Sequence, residues 1–537
     1  TSRGSNVTLA LTQALLAGHG VQHACANPQC IETHISWIVL LGEYAYKIKK
    51  PLNLGFLDYS TLALRKFYCA EEIRLNRRTA KDLYLQVVAI SGSAAAPVVS
   101  PIDSDRPVAA EVFEYAVKMR RFPQSQLLTS LAQNNLLDAT VVESLARTIA
   151  RFHLSLAKTV PSKFQLRDRI QGPVLDNFKH LVALALPERQ QALTDLEGWS
   201  EKEYQRLEAS LQRRYEQGDI RECHGDMHLD NILYDGRQCL VFDCIEFNPA
   251  LYWIDTASDF AFTAMDLQVR THAHHARQLL NEYLALTGDY DMLQVLHYYL
   301  VYRALVRAKV HAIQASQSRG NAFHEHHDQC WRYLRRAQEY CQPTPRGMVL
   351  MCGFSGSGKT TIARQLAQAS GFIHLRSDVE RKRLFGLRHD ASSQQLKLNI
   401  YTADADTLTK SRLLHLSQEI FNAGYGVIID ATFIRAGWRQ SFLELASQLS
   451  MPIRILQCQV SADEAQTRLA NRQGDASEAT FEQFLAQQTA FDPFTNDEQR
   501  LLVTVNTQEA SAVASTLTAL THWLQTPTLS SGTFNPQ

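Results

Sequence analysis

A chain of 537 residues is too long for one hydrophobic core, and its length predicts three or four domain-sized units. With 45% hydrophobic and 20% charged residues it has the make-up of an ordinary soluble globular protein. Lys plus Arg equals Asp plus Glu at 54 each, so no global field draws the chain to nucleic acid or a membrane, although a local groove can still be basic.

In chain order, residues 7–18 read as a short helix, followed by two strands at 34–41 and 44–49 joined at Gly42-Glu43. Residues 61–81 are helical in pattern and carry Glu71 and Glu72. Further strands are expected at 85–90 and 108–119, with 91–97 as the loop between them. A hairpin, a helix and more strands make a small α+β unit. From Ser125 the pattern turns helical, and Val142, Leu145, Ile149, Phe152 and Leu156 line one face of a helix over 141–157. A long charged helix covers 191–217, and helices resume from 253 to 340. Gln342-Pro343-Thr344-Pro345 reads as a linker into a last domain ending near Gln525, before a polar tail, 526–537, expected to fray.

A mixed segment interrupts the helices: His224-Gly225-Asp226-Met227-His228-Leu229-Asp230-Asn231, a strand, and Asp243 seventeen residues after Asp226. The skeleton H-x-D-x-x-x-x-N, strand, Asp has the layout of a kinase catalytic loop. That chemistry needs one Asp at the attacking hydroxyl, and an Asn and a later Asp to hold Mg²⁺ on nucleotide phosphates. The first ~340 residues resemble the aminoglycoside phosphotransferase-like kinases, whose signature H-G-D-x-H-x-x-N is matched without a gap. The resemblance implies a bilobal protein-kinase-like α+β fold over 7–342, with an N-lobe at 7–122 and a C-lobe at 123–342. It also implies Asp226 as catalytic base, Asn231 and Asp243 as metal ligands, and a strand lysine paired with a helix glutamate. Lys47, in Ala45-Tyr46-Lys47-Ile48, is the choice for the lysine; Lys49 points to the same face and stays open. Glu72 is the chosen partner, with Glu71 the alternative, and His228 is the candidate substrate contact. Two features depart from the pattern: no glycine-rich phosphate-covering loop stands near 20–45, and D-F-G is replaced by Asp243-Cys244-Ile245-Glu246.

Near the end of the chain, Gly353-Phe354-Ser355-Gly356-Ser357-Gly358-Lys359-Thr360 fits G-x-x-x-x-G-K-[ST] at every fixed position. An apolar strand precedes it and a helix follows, so backbone N–H groups and the helix dipole converge on one anion site. Gly353, Ser355, Gly356, Ser357, Gly358, Lys359, Thr360 and Thr361 form the candidate nucleotide cradle, with Lys359 reaching the phosphates and the Thr360 hydroxyl on Mg²⁺. A strand at 372–375 leads to Asp378, placed to take a proton from a substrate hydroxyl, and Arg381 lies one turn on, able to hold a substrate anion. Another strand ends at Asp430, a second candidate Mg²⁺ contact. Arg468 and Arg472, at i,i+4, are candidates to close over the phosphates, with 474–477 as a hinge. This α/β assembly, over 346–525 with a parallel sheet, is similar to small phosphate-loop kinases: gluconate, shikimate and polynucleotide kinases and zeta-type toxins.

The whole chain resembles bacterial fusions of the two kinds of kinase. The resemblance implies two ATP- and Mg²⁺-dependent sites acting on sugar- or nucleoside-like hydroxyls. The alternatives are an N-terminal sensor regulating the C-terminal kinase, or a C-terminal polynucleotide 5′-hydroxyl kinase. A nucleic-acid partner rests on Asp378-x-x-Arg381 and a local basic run, and the balanced charge counts against it. Ten cysteines without a C-x-x-C pair suit free thiols in a reducing cytosol. No apolar run of 18 residues and no leader is found, so a cytoplasmic protein without a membrane partner is expected. The histidine groups at 272–275 and 324–327 read as solvated helix surface. Oligomeric state is left open by the sequence.

Overall fold

The computed structural model describes residues 2–23, 25–55, 57–102, 111–158, 165–184, 189–388, 391, 400–471, 477 and 479–525, with side chains from residue 9 onward. The chain divides into two compact units, one of Thr1–Pro173 with Gln212–Asp266, the other of Val174–Leu211 with Leu267–Gln537.

In the first unit, strands β1 (Gln29–Glu32), β2 (Ser36–Leu41), β3 (Tyr44–Lys49), β4 (Tyr84–Gly92), β5 (Pro97–Pro101) and β6 (Val112–Arg120) form one antiparallel sheet in the order β1-β2-β3-β6-β4-β5. Successive side chains alternate between its faces. Val39, Leu41, Tyr46 and Ile48 join Leu11 and Leu15 of the helix Ser2–Leu16 in one core layer. Leu40, Ala45, Val117 and Met119 meet Cys69 and Ile73 of the helix Leu62–Asn76 in the other. Period two therefore sends Lys47 and Lys49 to the face that carries the second helix. Thr61 caps that helix by accepting from Leu64 N–H.

The expected 91–97 loop is narrower than read from the sequence. β4 runs to Gly92, and Pro97–Pro101 returns as an edge strand, a sheet position where prolines are tolerated. β1 is exposed at all four positions and so gave no alternation to read. Residues 108–110 of the expected last strand lie outside the described residues.

The rest of this unit is helical around a short hairpin, β7 (Ile220–Glu222), β8 (Ile232–Tyr234), β9 (Cys239–Val241) and β10 (Trp253–Asp255) supplying two small antiparallel pairs, β10 with β7 and β8 with β9. The helix Ala139–Ser155 buries Val142, Leu145, Ile149 and Phe152, its N-terminus capped by Asp138.

The second unit holds a parallel five-stranded sheet: β11 (Met348–Cys352), β12 (Ile373–Arg376), β13 (Val427–Asp430), β14 (Ile453–Gln459) and β15 (Leu502–Asn506), in the order β12-β13-β11-β14-β15. Near-continuous apolar runs in β11 and β13 mark strands covered on both faces. The helices Lys359–Ser370 and Ala510–Gln525 pack Ile362, Leu366, Leu520 and Leu524 onto Val349, Met351 and Ile428. The edge strand β12 is covered by the helix Ala273–Thr287. There Asn281 accepts from His374 N–H at 2.6 Å and donates to Phe372 C=O at 3.3 Å, filling the positions a further strand would fill. Arg277 donates to the carbonyls of Gln368 and Ala369, the last turn of the phosphate-loop helix, which that helix cannot satisfy itself. His272 and His275, expected at the surface, are buried and stacked at 5.5 Å, while His324 is exposed as read. The 526–537 tail lies outside the described residues.

Candidate active sites

In the first unit β3 directs two lysines at one buried glutamate. Lys47 Nζ lies 2.8 Å from Glu72 Oε1, and Lys49 Nζ 2.7 Å from Glu72 Oε2. Lys47 also bonds Asp243, and Lys49 bonds Glu246, which in turn accepts from the Tyr59 hydroxyl. Glu71 faces outward to Arg74. Burial alone would lower both ammonium pKa values, but the carboxylates outweigh it: Asp243 then Glu72 hold Lys47 well above its ordinary value, and Glu246 then Glu72 raise Lys49. Burial alone would raise Glu72, but the two ammonium groups hold it well below the usual carboxylate range.

The His224–Asn231 loop is fixed from below by the helix Thr256–Val269. Asp259, fully buried, accepts from the N–H groups of His224 (3.0 Å) and Gly225 (2.9 Å) and from the His153 ring (3.2 Å). Thr263 donates to Met227 C=O, and Asp266 accepts from Leu229 N–H. Gly225 sits at φ +88°, and a Cβ there would stand 2.6 Å from Leu251 C=O, so the glycine of the signature is a steric requirement. Held this way, the Asp226 carboxylate remains 35% exposed, with Asn231 Nδ2 donating to it at 3.1 Å and His228 Nε2 lying 3.4 Å away. His228 itself is buried against Phe262. Phe242 N–H donates to Asn231 C=O, so β9 delivers Asp243 next to the loop.

Asp243 adopts φ +60°, a left-handed conformation uncommon for a residue with a side chain. It is held there by the Tyr84 hydroxyl accepting from its N–H (3.0 Å), by Asn76 accepting from Cys244 N–H (2.9 Å) and by Lys47. Its carboxylate is 43% exposed. Tyr59, Asn76, Tyr84 and Glu246 carried no sequence signal. Asp259, Thr263 and Asp266 did: i, i+4, i+7 on an otherwise apolar helix is a polar stripe that burial makes meaningful.

Among the described residues, one group brings donor atoms close enough for a metal ion: His153, Cys223 and Asp259. Both Asp259 oxygens already accept backbone N–H groups, so this is a hydrogen-bonded support. Burial would raise the Asp259 pKa, but His153 and the loop amides hold it at about 2. A depressed carboxyl contributes stability above its unfolded pKa and loses it as pH falls toward the folded value. The first unit should therefore lose about 2 kcal/mol between pH 4 and pH 2 through this group alone. Acid titration of Asp259→Asn beside wild type, followed by circular dichroism, should show a smaller pH slope in that window; equal slopes would refute the assignment.

In the second unit Gly353 leaves β11 at φ +145°, where a Cβ would meet Cys458 C=O at 2.6 Å. Gly356 and Gly358 follow at φ +80° and +84°. The loop hands over to the helix Lys359–Ser370 with Thr360 half-buried and Thr361 exposed in its first turn. Lys359 Nζ donates to Phe354 C=O at 2.8 Å. Ser357 Oγ is buried with no hydrogen-bond partner, which, with the glycine-lined cradle, fits an anion's oxygens. Gly353→Ala should cost about 1–3 kcal/mol of stability and abolish nucleotide binding at this loop. Thermal unfolding and nucleotide titration would check it, and a variant that binds normally would contradict the steric argument.

Asp430 ends β13, and the His374 ring lies 3.1 Å from it. Burial would raise Asp430, but His374, Arg376 and Lys359 hold it well below the usual carboxylate range. His374, a single polar residue within the apolar run 372–375, stands in no motif that would mark it in the sequence. Asp378 is half-buried in the first turn of the helix Ser377–Leu384. Arg381 is buried, donating to Asp406 (2.6 Å) and Ile400 C=O (3.1 Å) and stacked on Tyr401. Arg468 bonds Glu464 and Thr507, and its guanidinium would be 3.1 Å from a Cβ on Gly358, so it borders the loop. Arg472 and residues 474–476 of the expected hinge lie outside the described residues.

Residues 73–296 match the phosphotransferase enzyme family, and residues 348–494 match a family described as an AAA domain. The chain thus joins an aminoglycoside phosphotransferase-like, kinase-fold region to a phosphate-loop kinase-like region; both belong to kinase families, and the protein is an enzyme of that class. It is 28% identical over 482 residues to uncharacterized proteins of Mycobacterium tuberculosis and Mycobacterium bovis, covering 84% of this chain and 87% of theirs. Similar solved structures include a choline/ethanolamine kinase family protein from Mesorhizobium loti (13% identity, 61% of this chain, 99% of that one, TM-score 0.38). A gluconokinase from Sinorhizobium meliloti is another (17%, 34%, 97%, TM-score 0.25). Among the described residues no helix is long and apolar enough to cross a membrane.

Proposed function

We propose that the chain is a two-site phosphotransferase, each site moving the γ-phosphate of ATP to a hydroxyl of a small sugar- or nucleoside-like molecule. The observation that carries this reading is the meeting of Lys47, Glu72 and Asp243, from three distant segments, beside the loop that bears Asp226. Asn231 and Asp243 would hold Mg²⁺, whose charge offsets that of the phosphates. Lys47, steadied by Glu72, adds a fixed cation. Asp226 accepts the acceptor hydroxyl's proton as its oxygen bonds to phosphorus and the bond to the β–γ bridging oxygen breaks. His228 faces the acceptor.

At the second site the loop amides and Lys359 receive the phosphates, and Thr360 and Asp430 would hold Mg²⁺. Asp378 takes the proton, Arg468 and Arg472 offset phosphate charge, and Arg381 exchanges Asp406 for an acceptor anion. The test is transfer from γ-labelled ATP across sugars, nucleosides and 5′-hydroxyl oligonucleotides, with Asp226→Asn and Lys359→Ala beside wild type. Each variant is expected to lose a different labelled product. If only Lys359→Ala matters, the first site is a sensor. A labelled oligonucleotide with a steep salt dependence would move the second site to nucleic-acid ends.

A further inference from the structure

Among the described residues the Asp430 carboxylate has one hydrogen-bond partner, and it comes from the neighbouring strand. His374 Nε2 lies 3.1 Å from Asp430 Oδ2. Against its burial, His374, Arg376 and Lys359 keep Asp430 ionised. A carboxylate can only accept, so the ring nitrogen that faces it is the donor. Both side chains are buried, His374 at 8% and Asp430 at 6% exposure. Oδ1 accepts from none of the described residues, so one oxygen is held and the other is left for a ligand.

The sheet sets this contact. β12 and β13 run parallel, with His374 level with Ile428 and Arg376 level with Asp430. Period two puts His374 and Arg376 on the face that Asp430 shares. β13 also pairs with β11, where Asp430 is level with Met351, two residues before the glycine that opens the phosphate loop. Asp430 therefore stands at the carboxyl end of the sheet, where ligands of such folds collect. The strand that bears the histidine is fixed in turn: Asn281 accepts from His374 N–H at 2.6 Å and donates to Phe372 C=O at 3.3 Å. The ring is thus delivered to Asp430 from an anchored backbone.

Resting on the reading of Asp430 as a Mg²⁺ contact, we infer that His374 is a positioning residue whose Nε2–H holds Asp430 Oδ2 and keeps Oδ1 available to the metal or to a water on it. Groups that orient a metal-binding carboxylate in this way govern metal affinity by about 10–100-fold. Without the bond the carboxylate can turn about its own side-chain torsion, and its orientation has to be fixed when the metal binds. His374 touches neither nucleotide nor acceptor in this role. Its removal should therefore change the Mg²⁺ requirement of the site and leave the Mg²⁺-free affinity for nucleotide in place.

The test uses the full chain and fluorescent N-methylanthraniloyl ADP, with Mg²⁺ titrated from a chelated start, reading the binding component that Lys359→Ala removes. His374→Phe keeps a ring without the donor, and His374→Asn keeps an amide too short to reach. Each is expected to need about 10-fold more Mg²⁺ for half its effect, with Mg²⁺-free affinity within about twofold of wild type. His374→Gln carries an amide N–H at the reach of Nε2 and is expected to restore the wild-type Mg²⁺ requirement. An unchanged requirement in His374→Asn would overturn the inference, as would an equal shift in His374→Gln, and this comparison holds even where the Phe variant does not fold. Mg²⁺-free and Mg²⁺-dependent binding lost in parallel would also overturn it, since a purely structural role predicts that result. If Asp430→Ala keeps the wild-type Mg²⁺ requirement, the metal reading of Asp430 itself falls, and the inference with it.

Discussion

Replacing Asp226 with asparagine is expected to lower transfer at the first site by about 10²–10⁴-fold while nucleotide affinity stays within about twofold. The substitution keeps the side chain's shape, and its amide oxygen can still accept from Asn231 Nδ2, now 3.1 Å from the carboxylate. What it removes is the ability to take a proton. Because the loop is pinned through Asp259, Thr263 and Asp266 rather than through Asp226, the geometry should persist. Steady-state kinetics decide the matter: kcat and kcat/KM should fall together, the signature of an interaction made only in the transition state. A raised KM with kcat unchanged would make Asp226 a binding residue.

The largest effect on stability should come from Glu72→Ala. The glutamate is fully buried and is shared by Lys47 and Lys49. Its loss leaves two buried ammonium groups with one carboxylate each, and breaking a buried pair in this way costs about 3–5 kcal/mol. Glu71→Ala is the control, one residue away on the same helix. Glu71 pairs only at the surface with the half-exposed Arg74, and exposed pairs are worth about 0–1 kcal/mol. Urea unfolding of the two variants should therefore differ by several-fold in lost stability. Equal losses would mean that the double-lysine network does not support the fold.

The two phosphate-handling segments were legible because each is contiguous: spacing alone places Asp226 before Asn231, and Lys359 after a glycine turn. The choice between Glu71 and Glu72 was not legible. Neighbours on a helix differ by about 100° in direction, and packing of Cys69 and Ile73 against the sheet settles which one turns inward. Lys47 and Lys49 could not be separated by period two because both do reach Glu72; their second partners, Asp243 and Glu246, come from nearly 200 residues away. The four-residue exposed strand β1 and the left-handed Asp243 have no local cause in the sequence, since cross-strand pairing makes the first and Tyr84, Asn76 and Lys47 hold the second.

The tetrapeptide Gln342-Pro343-Thr344-Pro345 has the composition of a seam, yet the hydrogen bonds around β12 disregard it. Asn281, Arg277 and Tyr290, all encoded upstream of it, reach Phe372, His374, the end of the phosphate-loop helix and Glu380. A gene broken at that tetrapeptide would yield a downstream product with a bare sheet edge and an uncapped helix. A downstream half joined to a different neighbour would need new partners for Phe372, His374, Glu380 and the last carbonyls of the phosphate-loop helix.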